Sequence, residues 1–138
     1  MKLIFFPFLA LLLITACNNE EQKDEAKKDN KISLRSDTIN VVTLSDTLVI
    51  HESTCRGCAY ENSTSFDIGD SLNLIKLQSI VTTDNNSPDM AGGNISKKLI
   101  LVPVKAGTTT IKLYKFWKEP ATAADSAKFI PYSIEVRN

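Results

Sequence analysis

Three side chains with ligand or redox chemistry lie within eight residues of one another: His51, Cys55 and Cys58. Imidazole and thiolate groups are the usual ligands of structural zinc, and Glu52, Glu61 or water could complete a four-coordinate site. Two thiols separated by two residues could instead form a disulfide or a redox-active pair. Redox-active pairs of the thioredoxin type sit at the start of a helix, and no helical pattern follows Cys58. A disulfide is therefore favoured over a redox centre, and metal binding stays an alternative.

The single histidine limits what the chain could catalyse. Any Ser-His-Asp or Cys-His arrangement would have to use His51, and a disulfide would occupy the neighbouring Cys55. Asp67 and Asp70 flank a turn, where carboxylates commonly bond the backbone. The Gly92-Gly93 pair lacks the helix start and the lysine that a phosphate-binding loop needs. We therefore expect a protein that is not an enzyme and needs no cofactor.

The charges of the chain balance, with 16 basic and 16 acidic side chains among 138 residues. Nucleic-acid binding needs a basic surface that neutralises phosphates, so no nucleic-acid partner is expected. A chain of this length has room for one domain, or for one domain and a tail.

Residues 1–16 have the features of an export signal. Lys2 precedes an uncharged apolar run over residues 3–14, which as a helix would reach about 18 Å, too short to cross a bilayer. The run ends in Ile14-Thr15-Ala16-Cys17, which resembles the lipobox of bacterial lipoproteins. This resemblance implies cleavage before Cys17, lipidation of Cys17 and a lipid-anchored place in the cell envelope. Asn18 in the next position favours the outer membrane, and the resemblance does not indicate which face.

Residues 17–31 are predicted to form a disordered tether. Nine of the fourteen residues from Asn18 to Lys31 are charged, so the segment cannot bury enough surface to offset the entropy of ordering it. As a flexible chain it would span roughly 20 Å. Export would also expose the cysteines to an oxidising compartment, which favours a Cys55–Cys58 disulfide. Such a bridge would rigidify its loop, and Gly57 would permit a positive φ angle.

Residues 32–138 are predicted to form an all-β domain. Short runs rich in Val, Ile and Thr alternate with turn signals, which indicates an antiparallel sandwich of immunoglobulin type with about seven strands. A closed barrel fits the same pattern. The predicted strands cover residues 38–44, 47–51, 60–68, 72–80, 97–104, 109–116 and 129–136. Residues 84–94 form a loop, residues 121–128 could form a turn or two of helix, and Pro131 suits a strand start or an edge.

A series of residues in this domain occurs in a characteristic order. It comprises Ala91-Gly92-Gly93, Val104-Lys105-Ala106-Gly107-Thr108, Tyr114, Trp117, Asp125-Ser126 and Phe129. With this series, the region from about Val41 to Val136 resembles chagasin-like proteins, which are immunoglobulin-fold inhibitors of papain-like cysteine peptidases. In that family, three loops at one end of the sandwich enter the peptidase cleft. The resemblance implies a papain-like peptidase as protein partner and a monomeric inhibitor.

The resemblance also implies which residues contact the peptidase. They are Thr54, Cys55, Arg56 and Gly57 in the first loop, Met90, Ala91, Gly92 and Gly93 in the second, and Phe116 and Trp117 in the third. Cys55-Arg56 replaces the Thr-Thr pair of the family's first motif, Met90 replaces a glycine, and Lys115-Phe116 replaces an Arg-Pro pair. Arg56 is expected to bring a charge into the cleft, which would either favour peptidases with an acidic cleft or prevent entry.

A second function class uses the same sandwich without inhibition. A structural or adhesion-type envelope module would need no convergence of the three loops, because fold alone does not dictate function. Inhibition requires the loops to lie together at one end of the domain. The positions of the Cys pair, of Gly92-Gly93 and of Trp117 therefore distinguish the two hypotheses.

Overall fold

The computed structural model describes residues 30–118 and 121–138. The predicted signal segment, Cys17 and most of the predicted tether lie outside the described residues. The described elements are β1 (Lys31–Ser33), β2 (Ile39–Thr43), β3 (Thr47–Cys55), β4 (Ser65–Gly69), β5 (Ile75–Thr83), β6 (Asn94–Pro103), β7 (Gly107–Phe116), α1 (Ala123–Ser126) and β8 (Phe129–Arg137). No helix among these residues is long and apolar enough to cross a membrane.

The strands form two four-stranded sheets. In the first sheet the order is β1-β3-β6-β5, and in the second it is β2-β8-β7-β4. Neighbouring strands are antiparallel except at one edge of each sheet, where β1 runs parallel to β3 and β2 runs parallel to β8. The predicted antiparallel sandwich therefore carries one parallel pair at an edge of each sheet, which the prediction did not include. Both sheets are mixed because the chain changes sheets between β1 and β2, so that neither strand pairs with its successor in the sequence.

The core lies between the sheets and consists of the inward positions of alternating strands. Leu48 and Ile50 from β3 meet Ile111 and Leu113 from β7, and all four are at most 2% exposed. The alternation of inward and outward residues follows from the pleat of a strand. Two packed layers with a shared core confirm the predicted β-sandwich.

The first described residues are bonded to the start of β3. The Asn30 carbonyl accepts a hydrogen bond from the Thr47 N–H, and the Asn30 side chain donates to Asp46. Lys31 then begins β1 and pairs with Thr47. The chain is therefore fixed to the start of β3 from Asn30 onward.

Pro131 lies within β8, a central strand of its sheet. It pairs with Lys112 of β7, whereas β2 pairs with β8 only from Ser133 onward. The first residues of β8 therefore have a neighbouring strand on one side only. This position tolerates a residue that has no N–H group to donate.

Candidate functional site

Three connections converge at one end of the sandwich. In the first sheet, the last residue of β3, Cys55, pairs with the first residue of β6, Asn94. In the second sheet, Phe116 at the end of β7 pairs with Ser65 at the start of β4. The loop end therefore comprises three segments: the first loop (residues 56–64), the second loop (residues 84–93) and the described parts of the third loop (residues 117–118 and 121–128).

The first loop is closed on itself by a disulfide and a turn. Cys55 and Cys58 form the predicted disulfide, with their Cα atoms 5.8 Å apart. Gly57 has a φ of 72°, as the prediction required, and its N–H donates to the Glu61 carboxylate. The N–H and the hydroxyl of Thr64 both donate to the carbonyl of Tyr60. These contacts give the loop a fixed backbone course.

Arg56 joins the first loop to the second. Its N–H donates to the Gly93 carbonyl at 2.9 Å, and its Nε lies 2.8 Å from the Asp84 carboxylate. Its Nη1 donates to the Ser87 and Met90 carbonyls. Hydrogen bonds from the backbone and side chain of Asn86, together with the Arg56 charge, hold the pKa of Asp84 below its ordinary value. The carboxylate is thus kept ionised beside the guanidinium.

The second loop is held together by contacts of the Asn86 side chain. The Asn86 side chain donates to the Asp84 carboxylate and to the Asn94 carbonyl. Gly93 has a φ of 101°, and a Cβ there would lie 2.8 Å from the Asn86 Oδ1 atom. Gly93 is therefore needed both for its backbone angle and for this close approach. Gly92 also has a positive φ, of 80°, but a Cβ there would meet no atom within 4 Å.

The third loop presents an indole beside a tyrosine of the first loop. The rings of Trp117 and Tyr60 are 6.3 Å apart in an edge-to-face arrangement, and each side chain is roughly half exposed. The Ser63 hydroxyl donates to the Trp117 carbonyl at 2.6 Å. An open cleft of about 420 Å³ is lined by Tyr60, Trp117, Lys118 and Asp125. The two loops thus share one aromatic surface.

Helix α1 closes the third loop with a reciprocal cap. The Thr122 hydroxyl and N–H donate to the Asp125 carboxylate, and the Asp125 N–H donates back to the Thr122 hydroxyl. These bonds lower the pKa of Asp125. A capping box of this kind fixes where a helix begins, and here it supports the wall of the cleft that Asp125 lines.

An ion pair between the sheets lies beneath the loop end. Lys115 from β7 donates to the Glu52 carboxylate of β3 at 3.3 Å and to the Ser53 carbonyl at 2.6 Å. Both charged side chains are mostly buried, at 24% and 15% exposed. Burial, together with the negative charge of Glu52, raises the pKa of the Tyr132 phenol. The ion pair therefore links the two sheets at the boundary between the core and the loop end.

Two predicted contact residues do not belong to the loops. Thr54 is 2% exposed and points into the core, because it continues the inward alternation of Leu48 and Ile50. Phe116 is the last residue of β7, and its ring stacks on Tyr114. Thr54 and Phe116 thus lie in strands that lead into the loops, Thr54 in the core and Phe116 at the base of the loop end, and their contact with a peptidase stays a prediction.

The other predicted contact residues lie at the loop end or at its base. Cys55 ends β3, Arg56 and Gly57 follow it, and the second-loop residues Met90, Ala91, Gly92 and Gly93 precede β6. Met90 and Trp117 are exposed apolar side chains. The structure brings these residues together at the same end of the sandwich.

The contributions of Tyr60, Asp84 and Lys115 were missed by the sequence reasoning. Tyr60 and Asp84 are isolated in sequence from their partners Trp117 and Arg56, so periodicity carries no signal for these contacts. Lys115 could have been placed, since it continues the inward alternation of Ile111 and Leu113 along β7.

The histidine does not join the cysteines. The His51 Nε2 lies 3.3 Å from the Ser33 hydroxyl, and the thiols of Cys55 and Cys58 are bonded to each other. Within residues 30–118 and 121–138, no group of three His, Cys, Asp or Glu side chains could hold a metal ion.

Two solved structures resemble this fold. A cysteine protease inhibitor from Entamoeba histolytica, EhICP2, superposes with a TM-score of 0.57 at 20% identity, over 78% of this chain and 95% of that one. The solution structure of amebosin superposes with a TM-score of 0.53 at 11% identity, over 79% of this chain and 98% of that one. No protein-family model matches the sequence, and no curated protein matches it significantly. The chain therefore has the fold of a known cysteine protease inhibitor, at identities that show fold alone.

Proposed function

We propose that this protein inhibits papain-like cysteine peptidases by inserting its loop end into the substrate cleft. One observation carries the proposal: three separate loops meet at one end of the sandwich and are joined there by direct contacts. Arg56 bonds the first loop to the second, and Tyr60 contacts Trp117 of the third. A protein that only used the sandwich as a spacer would not need this convergence.

The energetics of the loop end suit tight binding. Loops that are ordered before binding lose little conformational entropy on association. Trp117 offers a large apolar surface with few rotamers, and its side chain is 45% exposed, so much of it is free to be buried by a partner. Aromatic side chains of this kind often dominate interface energies.

Inhibition would operate by obstruction. A substrate is cleaved when its scissile bond aligns with the catalytic thiol, whereas a closed loop need not present a bond in that alignment. The Cys55–Cys58 disulfide and the Arg56–Gly93 hydrogen bond hold the first loop in a fixed course. We therefore infer that residues 55–57 pass over the peptidase thiol without being cut.

The proposal includes a lipid anchor on Cys17 in the cell envelope, with the outer membrane favoured. The described chain starts at Asn30 beside Thr47, at the end of β3 opposite to Cys55. A tether attached there would direct the loop end away from the membrane. Replacing Cys17 by Ser should release the protein from the membrane fraction, and an unchanged membrane fraction would contradict the lipid anchor.

A panel of papain-like peptidases tests the inhibition. At micromolar protein, we expect reversible inhibition of at least one member, with the inhibitor recovered intact by mass spectrometry. A serine peptidase of similar substrate preference is the matched control and should be unaffected. Lack of inhibition across the panel, or progressive cleavage of the first loop, would overturn the proposal.

A further inference from the structure

Arg56 contacts the second loop at its beginning, its middle and its end. The Nε atom pairs with Asp84, the Nη1 atom donates to the carbonyls of Ser87 and Met90, and the N–H donates to Gly93. The loop spans residues 84–93, so one residue of the first loop is bonded along the whole length of the second.

The charge of Arg56 is directed into the protein rather than outward. Its side chain is 20% exposed and that of Asp84 is 37% exposed, and the two groups are 2.8 Å apart. A guanidinium bound to a carboxylate and two carbonyls has few donors left for a partner. This geometry differs from the expectation that Arg56 brings a free charge into the peptidase cleft.

The other hydrogen bonds described for the second loop are local to it and to β6. Asn86 bonds Asp84 and Asn94, and the Met90 N–H donates to the Ser87 carbonyl. These contacts shape the loop but do not fix its position relative to the first loop. Arg56 supplies that connection.

We propose that Arg56 is a positioning residue whose side chain holds the second loop against the first and does not itself recognise the peptidase. The inference rests on the proposed inhibitory function and deepens it, because it states how two of the three loops keep their relative placement. Arginine suits this role, since its planar fork can bond several acceptors at once, whereas the single ammonium group of lysine cannot match them.

Hydrogen exchange on the purified full chain tests the placement without any peptidase. In R56Q we expect amide exchange in residues 84–93 to accelerate about tenfold, because local opening becomes easier. R35Q is the matched control, since Arg35 also pairs with an aspartate, Asp37, but is well exposed and remote from the loops. R35Q should leave exchange in residues 84–93 unchanged. Unchanged exchange in R56Q would overturn the proposal.

A double-mutant cycle separates positioning from direct recognition. We expect R56Q to weaken inhibition about tenfold and D84N to weaken it less, because D84N leaves the bonds from Arg56 to the Ser87 and Met90 carbonyls in place. The double variant should be no weaker than R56Q, since the Asp84 contact is already lost without Arg56. R56K should recover part of the loss. A loss of inhibition in R56Q without faster exchange in residues 84–93 would mean that the Arg56 side chain recognises the peptidase, and would overturn the proposal. If R56Q fails to fold, the exchange of D84N decides instead.

The two proposals can fail separately. Should the wild-type chain inhibit no peptidase, the proposed function is lost, and the exchange experiment alone then decides whether Arg56 positions the second loop.

Discussion

The ammonium group of Lys115 lies 4.7 Å from the centre of the Trp117 ring. The same group donates to Glu52 and to the Ser53 carbonyl in the opposite sheet. A cation held over an indole face attracts the ring electrostatically. Lys115 therefore connects the exposed aromatic residue of the third loop with the first sheet.

Replacing Lys115 by Met should destabilise the protein. The change leaves the mostly buried Glu52 carboxylate without its cation, at an expected cost of about 2 kcal/mol. For a domain of this size the melting temperature should fall by roughly 10 °C, measured by thermal unfolding. Lys76→Met on the exposed side of β5 is the control and should change stability by less than about 0.5 kcal/mol. Equal stability of the two variants would show that the pair contributes nothing.

Truncating Trp117 to Ala should weaken peptidase inhibition. Loss of an aromatic anchor of an interface costs on the order of 2 kcal/mol, which is roughly thirtyfold in affinity. The inhibition constant against the most sensitive peptidase measures the effect. Leu72→Ala removes another exposed apolar side chain, from the turn between β4 and β5 at the opposite end, and should leave inhibition unchanged. A Trp117→Ala variant as potent as wild type would remove the indole from the interface.

Reduction of the Cys55–Cys58 disulfide should weaken inhibition less than the Trp117 truncation does. Reduction loosens one loop but deletes no contact area, so a loss of about three- to tenfold is expected. A Cys17→Ser background leaves only these two cysteines, so intact mass before and after reduction should differ by two hydrogens. Two titratable thiols in protein purified without reductant would contradict the bridge, as would stoichiometric zinc.

Asp70 should make stability depend on pH in the acid range. Burial opposes its ionisation, but hydrogen bonds from the Thr109 hydroxyl and from the N–H groups of Ile75, Leu72 and Leu74 outweigh burial and lower its pKa. Its contribution is therefore present above the ordinary carboxyl pKa of the unfolded chain, about 4, and is lost as pH falls through the lower value of the folded state.

The variant that tests this is Asp70→Asn. It should be less stable than wild type at pH 7, and urea unfolding should show the difference shrinking towards pH 2. Asp67→Asn, at an exposed position in β4, is the control and should change stability little at either pH. A difference for Asp70→Asn that stays constant over this range would contradict the assignment.

Strand positions could be predicted where the sequence pattern that defines them lies within the strand itself. Strands β2, β7 and β8 lie within about two residues of their predicted bounds, because alternation and turn residues define them. The predicted strand over residues 60–68 begins only at Ser65, since Thr64 turns back to bond Tyr60. Strand β1 was missed, because three residues that follow a charged segment carry no periodicity and are ordered by pairing with β3.

The order of the three loops along the chain could be predicted from the sequence, but the contacts between them could not. The resemblance predicted three loops in this order along the chain, and the disulfide was predicted from the cysteine spacing and the expected export. The contacts of Arg56 with Asp84 and of Tyr60 with Trp117 join residues far apart in sequence, so only the folded chain reveals them. The burial of Thr54 was available from the sequence, since it extends the alternation of β3.

The parallel pairing of β1 with β3 determines how the domain responds to mechanical force. Lys31 pairs with Thr47 and Ser33 with Val49, so a pull on Asn30 away from the loop end runs along the strands and loads the hydrogen bonds of β1 together, in shear. The C-terminal end of β8 lies at the same end as Asn30, because Arg137 pairs with Thr43 and Gly107 with Val136. Pulling between Asn30 and Asn138 would therefore separate the strands one hydrogen bond at a time.

Single-molecule pulling tests this difference. With the chain held at Asn30, a second handle in the second loop should give a higher unfolding force than a handle at Asn138, and equal forces would contradict shear loading. If the proposed tether holds the domain and the proposed peptidase binds its loops, the domain is pulled along its stronger axis.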